Sequence, residues 1–252
     1  MSVPVNKTVI LTGASRGIGR AVAHALSAQG VRLVINSRGE ETLRETAEGC
    51  SGAEVRLVAG DASSAEVTRN MVDEARAMGD FAGFIHAAGV LNPGPLLWEI
   101  EENAFREILD ASLTAAYQLV RHSVPVLEES VRAGGERGIA VFFGSGASEI
   151  AQPGIAAYCI AKAAEEHLMR QLATESEALH TFAYRPGVVE TRMQEQARNA
   201  EGGAAPTLRR TFRGWKEQGR LIEPEESARG LLKFLENAAA LHGRSIRIGE
   251  AV

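Results

Sequence analysis

The sequence predicts an α/β domain in which strands and helices alternate about a mainly parallel sheet, and three observations carry that expectation. A chain of 252 residues with 45% hydrophobic content has ample material for a buried core. Apolar runs of strand length alternate with segments whose apolar residues recur at helical spacing. The first strand passes into the first helix through a glycine-rich turn, Thr12-Gly13-Ala14-Ser15-Arg16-Gly17-Ile18-Gly19. No repeat, low-complexity segment or linker divides the chain, so one domain over 1–252 is the economical reading.

Lys7 to Thr12 reads as a buried strand, and Ile18, Ala21, Val22, Ala25 and Leu26 give the following helix one apolar face. Gly30 is placed to end that helix, and Val31 to Asn36 is the second strand. The unit is therefore β-α-β with glycines at its first turn. Glycines let the backbone turn tightly and approach a pyrophosphate, which a helix N-terminus stabilises through free N–H groups and its dipole. Tight turns and close packing select glycine too, so the placement between strand and helix is what points to a dinucleotide.

At the end of the second strand stand Asn36-Ser37-Arg38, where a carboxylate for the ribose hydroxyls of NAD is absent. Arg38 and Arg16 are available to pair with a 2′-phosphate, which favours NADP(H); the alternative is that Arg38 is an exposed loop charge. A helix follows over about Glu40 to Cys50, then a strand from Val55 to Ala59. Asp61, beside Ala62, either accepts a hydrogen bond from an adenine amino group or is a loop residue near a helix start. Ser63 and Glu66 have the spacing of a capping box for the next helix.

Phe81 to His86 is the fourth strand, and the small residues of His86-Ala87-Ala88-Gly89 allow backbone to lie against a cofactor. The loop through Asn92, Pro93, Gly94, Pro95 and Trp98 is a site wall or a surface connection. Asn103 to Ser112 and Leu113 to Ala133 read as two helices, the second with a stripe of Leu113, Ala116, Tyr117, Val120, Val124 and Leu127. Gly138 to Gly144 is a fifth strand, Tyr158 to Ala178 a helix and Thr181 to Arg185 a sixth strand. From Thr191 to Gly219 the chain is polar and Arg-rich, a long loop of the kind that serves as a substrate lid. Pro224 with Glu225 and Glu226 opens the last helix, and Arg244 to Ile248 closes the sheet.

A net charge of −5 and a pI of about 5.8 leave no basic field for nucleic acid or an anionic membrane. The arginines Arg209, Arg210 and Arg213 therefore read as a solvated lid face rather than an RNA patch. Cys50 and Cys159 have neither Cys-x-x-Cys spacing nor a histidine cluster, which argues against a disulfide framework or a metal site and suits a reducing cytoplasm. The N-terminus has no basic or long apolar segment that marks export or anchoring.

The chemistry is expected around Ser145, Tyr158 and Lys162. A tyrosine and a lysine four residues apart on a helix share one face, so the ammonium can sit beside the phenol. A free phenol titrates near ~10, and a neighbouring cation in a desolvated cleft brings it toward the range useful for general acid/base work. Ser145 lies thirteen residues upstream of Tyr158, where its hydroxyl can bond the reacting oxygen. Such a pair is also common on ordinary helix surfaces.

In order, Thr12-Gly13-x-x-x-Gly17-x-Gly19, Ala88-Gly89, Ser145, Tyr158-x-x-x-Lys162 and Pro186-Gly187 through Thr191 resemble the short-chain dehydrogenase/reductase family, and the likeness covers nearly the whole chain. The resemblance implies a doubly wound Rossmann fold with a seven-stranded sheet and the cofactor across the carboxyl ends of the strands. It implies that Tyr158 is the general acid/base, Lys162 its electrostatic partner and a ribose ligand, Ser145 the orienting donor and Thr191 a ligand of the nicotinamide carboxamide. The implied cofactor set is Gly13, Ser15, Arg16, Gly17, Ile18, Gly19, Ser37, Arg38, Asp61, Ala62, Ala88, Gly89, Tyr158, Lys162, Pro186, Gly187, Val189 and Thr191. No metal enters.

Two departures stand out. The family's usual Asn-Asn-Ala-Gly is His86-Ala87-Ala88-Gly89 here, which predicts the loss of an amide that braces the sheet. Ser112 falls where the family places a catalytic asparagine that holds a water linking the lysine to solvent, and a hydroxyl offers fewer simultaneous donors and acceptors than an amide. Arg185 to Gln194 and Leu221 to Ala228 are similar to the sepiapterin and benzil reductase branch, which reduces ketones, often one carbonyl of a 1,2-dicarbonyl, with NADPH. The expectation is thus an NADPH-dependent carbonyl reductase with Trp98, Met193 and Trp215 as a substrate wall or as ordinary packing. The rivals are a cofactor-binding sensor with little turnover and a 3-oxoacyl carrier-protein reductase. The resemblance also implies a homodimer or homotetramer joined through long helices.

Overall fold

The computed structural model describes residues 5–251. Its strands are β1 (Thr8–Thr12), β2 (Arg32–Ser37), β3 (Val55–Ala59), β4 (Phe81–His86), β5 (Gly138–Phe143), β6 (Leu179–Arg185) and β7 (Ser245–Arg247), forming one seven-stranded sheet in the order β3-β2-β1-β4-β5-β6-β7. Each described pairing is parallel. The order reverses between β1 and β4, and at such a switch point the connections leave in opposite directions and open a crevice at the carboxyl ends of the strands. The fold is therefore the doubly wound, Rossmann-type sheet that the sequence predicts.

Helices cover both faces. Along β1, Val9 and Leu11 pack with α1 (Gly17–Ala28) and α9 (Pro224–Leu235), while Ile10 between them packs on the other face with α3 (Ala65–Met78) and α5 (Ala115–Arg132). Strand side chains alternate in direction, so a strand covered on both sides has to be apolar throughout, as Thr8–Thr12 nearly is. Leu26 of α1, Leu231 of α9 and Leu119 of α5 are fully buried, and each such side chain contributes about 1.5–3 kcal/mol relative to exposure. Past the end of α1, Gly30 adopts φ +80° and donates its N–H to the Ser27 carbonyl, which turns the chain into β2.

Three local expectations are corrected. The two helices expected over 103–133 are one continuous run, α4 (Glu102–Leu109) and α5 joined by a π turn at Asp110–Thr114 in which the Ala115 N–H reaches the Asp110 carbonyl. No breaker interrupts the sequence there, and the wider turn accommodates one extra residue instead of ending the helix. The segment 191–219, expected as a loop, carries α7 (Arg192–Arg198) and α8 (Ala205–Glu217). Pro206 sits in the first turn of α8, and Leu208 and Phe212, four residues apart, bury one face of it. The capping box is not formed: Asp61 accepts the Ser63 N–H at 2.8 Å, and Ser64, not Ser63, precedes α3. Among the described residues the remaining α-helices are α2 (Glu40–Glu48) and α6 (Ala156–Glu175). Among the described residues no helix is long and apolar enough to cross a membrane.

Candidate active site

The crevice begins at the turn from β1 into α1. Gly13 has φ +69°, and a Cβ there would lie 2.7 Å from the Ala87 carbonyl carbon and oxygen. A Cβ on Gly19 would lie 2.1 Å from the Gly13 carbonyl oxygen. Glycine at 13 lets the turn lie directly on the backbone that follows β4, and glycine at 19 lets the start of α1 close onto the turn itself. No side chain caps α1 and its first turn has no acidic residue, so its free N–H groups and dipole face outward as an anion site. Ser15 is nearly buried, and its carbonyl accepts from Arg20 at 2.6 Å, which ties the turn to α2 through Glu45. Arg16 is exposed beside it, and Ile18 is half-buried against the core. Across the crevice, Thr191 Cγ2 is 3.3 Å from where a Cβ on Gly17 would be.

At the carboxyl ends of β2 and β3, Asn36 turns inward and donates to the carbonyls of Val58 (2.8 Å) and Gly60 (3.1 Å), locking the strands together. Ser37 accepts the Gly60 N–H through its carbonyl and donates its hydroxyl to the Gly39 carbonyl. Arg38 is exposed and pairs with Glu107 of α4 at 2.6 Å. Asp61 is exposed, and Ala62 faces the core under α3.

Beyond β4 the loss of a sheet brace does not occur. The fully buried His86 ring lies 2.8 Å from Thr12 Oγ1 through Nδ1 and 3.0 Å from the Ser112 carbonyl through Nε2. A carbonyl only accepts, so Nε2 carries the hydrogen and Nδ1 accepts from the Thr12 hydroxyl. Burial, reinforced by the charge of Lys162, pushes His86 down to about 3, which keeps it neutral. The imidazole thus joins β1, β4 and the π turn. Thr12 Oγ1 also receives the Ala88 N–H at 3.4 Å.

Ser145 follows β5. Its N–H donates to Glu166 Oε1 at 3.2 Å, and its hydroxyl accepts from Ala147 at 3.1 Å. Glu166 is held by two bonds from Arg185 (2.9 and 2.7 Å) and one from Ser245 (2.9 Å), so the ends of β5, β6 and β7 converge on one carboxylate. Burial would push Glu166 up, yet these donors hold it below the usual carboxylate range. Neither Glu166 nor Ser245 was foreseeable as a support for Ser145, because the contacts join residues distant in sequence.

Tyr158 and Lys162 lie on α6. The tyrosine is half-buried between the apolar cluster of Leu91 and Phe212, against which Met193 and Trp215 also pack, and that of Ile108, and the ammonium is 5.8 Å from its ring centre. Trp98 does not join them; it is 82% exposed. The Lys162 Nζ donates to the Phe143 carbonyl at 2.9 Å and to Glu165 Oε2 at 2.7 Å. Burial works against the ammonium, but the Glu165 carboxylate and the neighbouring Tyr158 hold its pKa above the ordinary lysine value. Glu165 is fully buried, and burial pushes it up to about 7 despite Lys162. Sequence reasoning missed Glu165; the available signal was a carboxylate on the buried face of a helix, seven residues after Tyr158.

A Cβ on Gly89 would sit 3.7 Å from Lys162 Nζ and 3.8 Å from Ser112 Oγ, so the ammonium and the hydroxyl both lie beside this glycine. Ser112 is buried in the π turn, and its hydroxyl has no partner among the described residues. Opposite, the Pro186 carbonyl accepts from Ser227, Gly187 turns with φ +84°, and Val189 is buried in a parallel bridge with Ile222. The uncapped helix end, the backbone cradle of Gly13, Gly17, Ala87 and Ala88, and the ammonium beyond Gly89 fit a dinucleotide: anion site at one end, hydroxyl ligand and proton-transfer groups at the other.

A family model described as short chain dehydrogenase matches residues 7–202. An uncharacterized oxidoreductase of Schizosaccharomyces pombe is 31% identical over 98% of each chain. Sepiapterin reductase of Xenopus laevis is 30% identical, covering 94% of this chain and 93% of that protein. An NADPH-dependent pterin aldehyde reductase of Arabidopsis thaliana is 28% identical over 76% of this chain and 78% of its own length. The crystal structure of a short-chain dehydrogenase/reductase from Saccharomyces cerevisiae superposes with a TM-score of 0.85 at 26% identity, covering 97% of this chain and 96% of that one.

Proposed function

The chain belongs to the short-chain dehydrogenase family of oxidoreductases, and from that premise we propose that it is an NADPH-dependent reductase of ketones or 1,2-dicarbonyls. The observation that carries this reading is the α6 face, where Tyr158 and Lys162 stand together and the ammonium lies beside Gly89. The bound nicotinamide supplies the hydride. Tyr158 gives a proton to the carbonyl oxygen, Ser145 donates a hydrogen bond to the same oxygen, and Lys162 keeps a positive charge beside the phenol and binds ribose hydroxyls. Thr191, across from Gly17, binds the carboxamide end. Met193 and Trp215, packed on the same apolar cluster as Tyr158, form the apolar wall of the substrate site, and α7 with α8 is its lid.

The preference for NADPH rests on the absence of a carboxylate at Asn36-Ser37-Arg38 and on exposed Arg16 and Arg38. Arg38 exchanges its surface bond to Glu107 for the 2′-phosphate, an exchange a solvent-exposed pair makes at small cost. The Arabidopsis relative, whose name specifies NADPH, supports the same choice. Free Cys50 and Cys159 suit a cytoplasmic setting. Exposed Tyr117 of α5 and Ile160 of α6 support pairing into a homodimer or homotetramer.

A panel of 1,2-dicarbonyls, simple ketones and 3-oxoacyl thioesters, each with NADPH or NADH, tests the reading through the absorbance of the reduced cofactor. Consumption of NADPH with a dicarbonyl, at least tenfold faster than of NADH, is expected. Turnover of thioesters alone would transfer the assignment to carrier-protein chemistry, and NADPH binding without any turnover would make the chain a sensor.

A further inference from the structure

Lys162 is 4% exposed, and the carboxylate beside it is 0% exposed. Glu165 is set apart from a routine helix ion pair by three observations. It shares the α6 face of Tyr158 and Lys162, at the fourth and seventh positions after the tyrosine, so the pair lies against the phenol's neighbourhood. Its Oε2 accepts from Lys162 while its Oε1 has no partner among the described residues. A second unpartnered buried atom, Ser112 Oγ, lies beside Gly89 as the ammonium does. Removing this carboxylate alone would leave a buried ammonium uncompensated, so Glu165 and Lys162 act as one charge-coupled unit.

Resting on the proposed reductase reading, we propose that Glu165 is a positioning residue that sets the charge Tyr158 faces: ionised, it cancels the Lys162 ammonium, and protonated, it leaves that ammonium uncompensated. The surroundings isolate the pair. Glu166 of α6 is taken up by Arg185 of β6, and His86 of β4 stays neutral. From the α4 side, Glu102 pairs with Arg106 and Glu107 with Arg38 on the surface, while Asp110 of the π turn accepts from Thr114. The α5 imidazole of His122 responds to burial and to Arg69 and Arg121. Glu165 therefore answers chiefly to burial, Lys162 and Glu166, and burial pushes it up to about 7.

Glu165→Gln keeps the size and removes the charge. With the ammonium left uncompensated, phenolate is favoured, so the proton donor is lost at lower pH. The basic limb of the kcat/KM profile for reduction is expected to move down by about one pH unit, a tenfold change in the phenolate-to-phenol ratio, with NADPH affinity within threefold of the parent. Glu165→Asp restores the parental limb. If the glutamine variant does not fold, Glu165→Asn carries the same expectation, because it removes the charge and keeps an amide oxygen to accept from Lys162. The ultraviolet absorbance of the phenolate, taken as the difference between each protein and its Tyr158→Phe counterpart, reads the same shift without turnover. That arm separates the two ideas: a chain that reduces no carbonyl but shows the shift fails as a reductase while the charge role stands. An unmoved limb and an unmoved phenolate titration in the folded variant, whatever the loss of rate, would overturn the proposal.

Discussion

A hydroxyl, an imidazole ring and a carboxylate decide how the site is held. Ser145 takes its backbone direction from Glu166, and the π turn takes its direction from His86. His86 also gives the protein an acid-sensitive point. Its folded-state value is lowered from 6.5 to about 3, so as pH falls from 6.5 toward 3 the unfolded imidazole takes up a proton that the folded one refuses, and stability is lost across that window. Glu165 has the opposite sign: raised from 4.5 to about 7, it binds its proton first in the folded state, so the cost of burying its charge lifts as pH falls from 7 to 4.5. His86→Asn should therefore flatten the loss of urea stability between pH 6.5 and 4; an equal or steeper loss in the variant would contradict the imidazole's role. At this scale Ser145, Tyr158 and Lys162 were readable because their spacing in sequence is their spacing on one helix and one strand end. Glu165 and the reach of His86 were not, because burial and cross-strand partners are properties of the folded chain.

Elements show the same division. The β1-turn-α1 unit was legible from its glycines, and α9 from Pro224, Glu225 and Glu226, since turns and helix starts are set by local chemistry. The π turn was not, because Asp110 to Thr114 differs from an α-helix only in its bonding, and no residue there forbids either form. Helices α7 and α8 were not read from the sequence: Pro206 and the spacing of Leu208, Phe212 and Trp215 mark α8, but the surrounding arginines hid the pattern. On the outer faces of α5 and α6, Tyr117 is 45% and Ile160 44% exposed. An assembly through these faces predicts that light scattering gives a dimeric or tetrameric mass and that Ile160→Lys lowers it. A monomeric parent protein at micromolar concentration would contradict the pairing.

For the whole molecule, the reversal of strand order between β1 and β4 brings the glycine turn, the segment after β4, Ser145 and the α6 face to one rim of the sheet. Strand and helix alternation was visible in the apolar pattern, whereas the strand order followed from the family resemblance rather than from periodicity. Arg185 and Glu166 illustrate why: their two bonds tie β6 to α6, and Ser245 adds β7, yet no pattern in the sequence announces the contact. The account depends on Tyr158 acting as the acid at that rim. Turnover of a dicarbonyl by Tyr158→Phe, with NADPH binding followed in parallel by cofactor fluorescence, tests this most directly. The variant is predicted to bind NADPH within tenfold of the parent while kcat/KM falls by about 10²–10⁴; a variant that binds the cofactor and turns over within threefold of the parent would contradict it.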